Sequence, residues 1–296
     1  MSFEEAIETY KSIGHRNPYL FQWLYNVYKK LRLPCADKKY IDDLALTKTK
    51  LTIFDVLIDD VADNINFRNK EMLDRLTLIP WQNSDYTHND PYYKTCKKIW
   101  IDCLNSIEKY PRFHEFEGIF YFDLKQVMNA MEYSWLINFY PEADDSVSND
   151  AYGHHGTMVI LHGMIDLMCS PKFDINELGK IRAVLYRAQR IARTGNMLNT
   201  YPREFIERDL SSPIITYALE KNIITLDEFR HGDPKELEAK IKLLEAKYKR
   251  EVEDDFKGIM EFKGHIKSFD VCEFTKAARL AYEAFIARIR YWEVKD

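Results

Sequence analysis

The sequence is poor in the residues that interrupt regular structure. It has 10 glycines and 10 prolines in 296 residues, too few for a turn-rich all-β chain or for long flexible linkers. No segment alternates cleanly between apolar and polar side chains, so the signature of half-buried strands is missing. The five cysteines (Cys35, Cys96, Cys103, Cys169 and Cys272) are odd in number and scattered, with no CxxC pair. This argues against a disulfide framework and a structural zinc site, and favours a reducing, cytoplasmic setting. No apolar run reaches the roughly 18 residues of a membrane span. The start, Met1-Ser2-Phe3-Glu4-Glu5, lacks the basic and apolar regions of a signal peptide. The net charge is −5 with no dense basic stripe, which gives no support to nucleic-acid binding. The chain is expected to act without a membrane span, as a monomer or homodimer.

What is present is helical periodicity. Helices are predicted over 3–13, 18–32, 39–64, 68–80, 91–109, 113–140, 174–194, 233–263 and 269–293, with loops near 82–91 and 141–150. Glycines within 152–168 point to a break there, since each costs about 1 kcal/mol relative to Ala inside a helix. The expected fold class is all-α, a single-domain helical bundle over 1–296 with one core and no domain boundary. Aromatics make up 14% of the chain, with 19 Tyr and 17 Phe. They suit core packing, and would also suit a pocket that holds a carbocation against π faces.

One stretch conflicts with its surroundings. Phe54-Asp55-Val56-Leu57-Ile58-Asp59-Asp60-Val61-Ala62-Asp63 places Asp55, Asp59 and Asp63 on one helical face at i, i+4 and i+8. Repeated Asp repels itself and weakens the helix. Near a helix C-terminus it also opposes the dipole. A hard divalent cation such as Mg²⁺, or Mn²⁺, would compensate, because it takes oxygen ligands. Asn196, Thr200 and Glu204 repeat the i, i+4, i+8 spacing with an amide oxygen, a hydroxyl and a carboxylate, a second hard-cation set. Two other metal readings fail. His154, His155 and His162 lack a completing carboxylate or Cys in sequence. A di-iron bundle needs two Glu-x-x-His motifs, and only Glu228-Phe229-Arg230-His231 is present.

Asp59-Asp60-Val61-Ala62-Asp63 resembles the DDxxD motif of class I terpene synthases. Asn196-Met197-Leu198-Asn199-Thr200-Tyr201-Pro202-Arg203-Glu204 resembles that family's second metal motif at all three ligand positions. Arg203 matches its basic residue before the Glu, and Arg290-Tyr291 resembles the Arg-Tyr pair of many microbial members. The three motifs stand in order and span about residues 50 to 291. The resemblance implies a microbial-type terpene cyclase with the isoprenoid synthase fold, a carbon–oxygen lyase acting on an isoprenyl diphosphate. Farnesyl or geranylgeranyl diphosphate is the expected substrate, and a cyclised terpene and diphosphate are the products. It also implies Mg²⁺ on Asp59, Asp60, Asp63, Asn196, Thr200 and Glu204. Arg203, Arg290 and Tyr291 would contact the diphosphate, with Asp59, Arg290 and Tyr291 the catalytic group. Phe54, Tyr133 and Trp135 are the expected pocket aromatics, with Phe54 binding substrate.

The chain departs from the family pattern at two places. Pro202 lies inside the second motif, where it is expected to remove one helical hydrogen bond and bend the helix. Asp150, His154 and His155 stand where the family has a diphosphate-sensing Arg. Arg182, Arg187, Arg190 and Arg193 are too close to the second motif to match it, which leaves the sensor unassigned. A prenyl-elongating synthase, a squalene- or phytoene-type synthase and a non-catalytic helical binding protein are the alternatives.

Phe274, Ala277, Ala278, Ala281, Tyr282, Phe285 and Ile289 recur at helical spacing, a buried stripe that would anchor the last turn. Arg290→Ala is therefore expected to weaken binding of a non-hydrolysable diphosphate analogue, with little change in melting temperature. Equal affinity in isothermal titration of the two proteins would remove Arg290 from the site.

Overall fold

Polar side chains and prolines punctuate the chain and set where its helices start. In this computed structural model the described residues are 1–82 and 88–287. Among them there is no strand, and no helix is long and apolar enough to cross a membrane. Helix α1 (Phe3–Lys11) opens on a Ser2/Glu5 capping box, which satisfies two free backbone N–H groups. The hairpin partners α2 (Tyr19–Lys30) and α3 (Ile41–Asp63) follow. Then come α4 (Lys70–Thr77) and α5 (Pro91–Ile107), the latter capped by Asp90 with proline in its first turn.

Helix α6 runs from Phe113 to Phe139. The expected loop at 141–150 is not a plain loop. A 3₁₀ turn at Pro141–Ala143 leads into α7 (Ser146–Tyr152), whose first N–H groups donate to Asp145. The break expected from glycine is present as a 3₁₀ segment, Gly153–Thr157, before α8 (Val159–Met168). The left-handed residue at that junction is Met158, at φ 55°.

The largest difference is α9. It is one helix of 30 residues, Leu178–Glu207, with Pro202 inside it, where a stop near residue 194 was expected. Pro202 is buried and Phe205 fully so; packing of this last turn outweighs the one hydrogen bond that proline forfeits. Arg208, at φ 54°, ends the helix. The remaining helices are α10 (Pro213–Glu220), α11 (Leu226–His231), α12 (Pro234–Ile241), α13 (Glu245–Met260) and α14 (Val271–Ala287). The long helix expected over 233–263 is thus two, joined by a 3₁₀ turn at Lys242–Leu244.

The main core is built around α3, against which α2, α5, α6 and α8 pack, while α9 packs on α8, α13 and α14. A smaller cluster, including Tyr201, Phe205, Ile214 and Phe229, lies under the C-terminal half of α9. Between Leu44 and Asp63 every residue of α3 except Leu46 and Asp59 is buried. Central helices are normally apolar all round, yet this one buries Lys48, Lys50, Asp55, Asp60 and Asp63. Buried charges need partners. Lys50 Nζ donates to Asp102 Oδ2 at 2.6 Å, and the Met1 amino group donates to Asp102 Oδ1 at 2.9 Å. Lys48 Nζ lies 2.5 Å from Asp166 Oδ1 on α8, and Leu33 N–H donates to Asp166 Oδ2 at 2.9 Å.

Lys48 and Asp166 are both almost fully buried, so removing one partner strands the other. Lys48→Met is expected to cost ~3–5 kcal/mol in urea unfolding, and Lys48→Met combined with Asp166→Asn to recover more than half of that. Wild-type stability in the single variant would show that the pair does not hold α3 to α8.

Candidate active site

Helices α2, α3, α8, α9 and α14 enclose a cavity of about 1270 Å³, its open mouth included. The α3 wall is one helical face: Lys48, Thr52, Asp55, Val56, Asp59 and Asp63 all line it. At 1.5 Å per residue this face runs about 22 Å from Lys48 to Asp63. Asp59 retains 27% exposure of its side chain and Lys48 only 1%, so the aspartates mark the mouth and Lys48 the floor. Across the mouth, α9 contributes Arg193, Asn196, Arg203 and Glu204, and Asp209 follows just after it.

The structure therefore brings Asp59, Asp63, Asn196 and Glu204 around one opening. Pro202 does not separate them, because α9 is continuous. Thr200 is buried behind Glu204, its hydroxyl 2.7 Å from Glu204 Oε1 and 3.0 Å from the Asn196 carbonyl. Asp60 turns away from the cavity towards Arg16 and is 1% exposed. Burial pushes the Asp63 carboxyl well above the usual carboxylate range, with Asp59 and Asp209 adding repulsion. Burial also raises Glu204, again with Asp209 contributing. The mouth is crowded with carboxyl groups whose charged forms repel one another.

In this structure Arg16 supplies a positive charge. It donates from Nη2 to Asp59 Oδ2 and from Nε to Asp60 Oδ1, both at 2.6 Å, with Asp63 Oδ1 at 4.0 Å. Arg16 lies between α1 and α2, in a connection whose sequence carries no helical period to mark it. Asp209 was also not legible; three donors order it, with Asn138 Nδ2, Ser211 N–H and Ser211 Oγ each 2.8 Å away. Arg193 is different. Its spacing from the second motif set it aside as the sensor, yet it stands three residues before Asn196 and lines the same cavity. Its Nη2 donates to the Ser211 carbonyl at 2.7 Å, and its buried Nε has no hydrogen-bond partner.

Several expected positions fall elsewhere. Phe54 is fully buried against Trp100, ring centroids 5.3 Å apart, and does not line the cavity. Its side chain leaves α3 on the face that packs on α5. Tyr133 donates its hydroxyl to Asp144, and Trp135 stacks on Phe139 at 5.0 Å; neither lines the cavity. Among the described residues the Phe, Tyr and Trp side chains that do are Tyr28, Phe274 and Phe285. His154 pairs with Asp150, Nε2 to Oδ1 at 2.6 Å, so no histidine cluster forms with the cavity-lining His162. Arg290 and Tyr291 lie outside the described residues.

Among the described residues no three His, Cys, Asp or Glu side chains are gathered at metal-binding distance. The chemistry of the mouth nevertheless fits a hard cation. Its donors are oxygens, and Glu204 Oε2, which lines it, is buried without a hydrogen-bond partner, a lone pair that such a cation would satisfy.

Comparison with known proteins bears on this architecture. No protein-family model and no curated protein matches the sequence. Solved structures do. The helices adopt the all-α fold of terpene-synthase type. In particular, the chain is similar to isoprene synthase from grey poplar leaves (Populus x canescens), solved in complex with three Mg²⁺ ions and dimethylallyl-S-thiolodiphosphate. The TM-score is 0.72 and the identity 13%, over 96% of this chain and 52% of that one. A second structure of that isoprene synthase gives a TM-score of 0.70 and 12% identity over the same shares. The chain spans about half the length of these proteins.

If Arg16 balances the carboxylates, its removal should unmask their repulsion. Arg16→Ala is expected to lower the melting temperature in EDTA. Millimolar Mg²⁺ should then raise it by several degrees, more than in wild type. An equal Mg²⁺ response in both proteins would show that Arg16 and a cation do not compete for Asp59 and Asp60.

Proposed function

We propose that the protein is a Mg²⁺-dependent class I terpene synthase, a single α domain that ionises an allylic isoprenyl diphosphate and cyclises the hydrocarbon with loss of diphosphate. One observation carries this reading: two oxygen-rich ligand sets, on α3 and α9, face each other across the mouth of one cavity. A terpene-synthase-type fold around that mouth supports it.

Asp59, Asp60 and Asp63 from α3, and Asn196, Thr200 and Glu204 from α9, would hold the cation. A hard divalent cation, when bound, supplies the Lewis acidity that offsets charge on a departing diphosphate. Arg203, next to Glu204, aims a guanidinium at the same opening, 3.5 Å from Glu207. Arg193 adds a second, and is our candidate for the anion-sensing role left vacant at 150–155. Planar guanidinium groups bind such oxygens bidentately and remain charged throughout. Arg16 must release Asp59 and Asp60 as positive charge arrives there. Below the mouth, Leu20, Leu24, Val27, Val56, Phe274 and Phe285 surround the hydrocarbon. Such walls exclude water, and the aromatic faces stabilise a cation by their quadrupole. Chain length depends on how much of the cavity a bound substrate fills; we favour farnesyl or geranylgeranyl diphosphate.

The test is incubation with dimethylallyl, geranyl, farnesyl and geranylgeranyl diphosphates, followed by gas chromatography and a diphosphate-release assay. Turnover of at least one is expected, abolished by EDTA and restored by Mg²⁺ or Mn²⁺. Asp59→Asn and Glu204→Gln should each reduce it by about 10²–10³-fold, the scale seen when one transition-state contact is lost, with circular dichroism unchanged. Diphosphate release from none of the four would count decisively against the reading.

A further inference from the structure

The middle of the cavity is more polar than a container for hydrocarbon needs to be. His162, from α8, lines it while 6% exposed, and its Nε2 is buried with no hydrogen-bond partner. Asp55, from α3, lines it while 5% exposed, and its Oδ1 is likewise without a partner. Tyr28, from α2, joins them: its ring meets His162 edge-on at 4.8 Å, and its hydroxyl lies 2.8 Å from Thr52 Oγ1. Thr52 stands seven residues before Asp59 on α3, about 10 Å below the mouth.

Hydrogen counting fixes the character of this group. Thr52 donates its own hydroxyl hydrogen to the Lys48 carbonyl at 2.9 Å. Tyr28 must therefore donate to Thr52, which leaves the Tyr28 oxygen with lone pairs towards the cavity. Nε2 of a neutral His162 can accept as well. Burial, then the nearby Lys48 ammonium, holds the His162 ring well below its ordinary pKa and so neutral. Buried polar atoms are almost always partnered, by protein or by ordered water. Two lone-pair acceptors, the Tyr28 hydroxyl and His162 Nε2, and the unpartnered Asp55 Oδ1 that lines the same cavity match one ligand chemistry: a hydroxyl group.

We infer that His162, Tyr28 and Asp55 form a hydroxyl-binding site in the body of the cavity, and that His162 Nε2 is the proton acceptor when water held there attacks the substrate carbocation. The binding part stands on the geometry alone; the catalytic part rests on the terpene synthase reading. In the step, the water oxygen contributes an electron pair to the cationic carbon and a C–O bond forms. The oxonium proton passes to His162 Nε2, and the imidazolium later returns it to solvent. The sum is allylic diphosphate plus water giving a terpene alcohol plus diphosphate and a proton, with no change of oxidation state. The product class is therefore an alcohol, where a wholly apolar cavity would release a hydrocarbon.

Two measurements separate the parts. The first needs no turnover. Competition binding compares prenols with hydrocarbons of the same C10, C15 and C20 skeletons in wild type, His162→Phe, His162→Gln and Leu243→Ser. The best-fitting prenol should bind wild type at least tenfold more tightly than its hydrocarbon. His162→Phe should reduce that preference to about one. His162→Gln, which keeps a polar terminus, should retain part of it, and Leu243→Ser, on the surface and outside the cavity, should retain it fully. No preference in wild type, or an equal one in His162→Phe, overturns the site. If His162→Phe does not fold, Tyr28→Phe is read instead, with a preference reduced at least threefold. The second measurement is turnover in ¹⁸O-labelled water. Wild type should give an ¹⁸O-bearing alcohol, and His162→Phe should shift the product ratio towards hydrocarbon by at least tenfold. Diphosphate release with hydrocarbon alone in wild type, or an unchanged ratio in the variant, overturns the proton-acceptor role. Absence of diphosphate release with a retained prenol preference would refute the enzyme reading and leave the binding site standing.

Discussion

Helix α3 carries charge through the centre of the molecule, and its neighbours are arranged to neutralise that charge. Burying an ion without a partner costs several kcal/mol, of the order of a domain's whole stability. Each charge on α3 therefore dictates something elsewhere. Lys50 calls for Asp102, whose other oxygen accepts from the Met1 nitrogen. Lys48 calls for Asp166, which also fastens the turn at Leu33. At the other end the aspartates outnumber their partners, and Arg16 is drawn in across them. The helix is an axis of charge, satisfied inside the protein at its buried end and incompletely at its open end.

That asymmetry makes the open end a place for chemistry. A carboxylate whose lone pairs are fully used is structural; one left with a buried, unpartnered oxygen awaits a ligand. Glu204 retains such an oxygen, and Asp63 and Glu204 are pushed towards protonation by burial, with Asp209 adding repulsion to both. Positive charge at the mouth relieves all of these together. Arg16 is a resident version of that charge, attached to the connection between α1 and α2. The guanidinium groups of Arg193 and Arg203 lie on the opposite wall, where an anion bridging the two sides would meet them.

The polar belt lower in the cavity follows from the same helix. Thr52 and Asp55 lie on the face that carries Asp59 and Asp63 upward and Lys48 downward. Tyr28 and His162 come from the two helices that pack beside it. Polar groups placed here are costly unless something binds them, which is why their unpartnered atoms carry more information than the apolar lining around them.

Sequence patterns alone determined the helical class, most helix positions and two lines of oxygen-bearing side chains, Asp59 to Asp63 and Asn196 to Glu204. Those features are local: a 3.6-residue period aligns side chains on one helix whatever surrounds it. Pro202 shows the limit of local reasoning, since its cost is fixed by the backbone but its outcome by the packing of Tyr201 and Phe205 beneath it. Phe54 shows it again: apolar character marked the residue as buried, yet only the position of α5 decided that it faces Trp100 and not the cavity. Arg16, Asp209 and the meeting of Tyr28 with His162 belong wholly to the tertiary structure. Their partners lie tens of residues or more away in sequence, and no periodicity links residues on different helices. The chain thus encoded these side chains one helix at a time, and only the packing of α2, α8 and α9 around α3 decided which of them share a cavity, what neutralises them and where the polar belt lies.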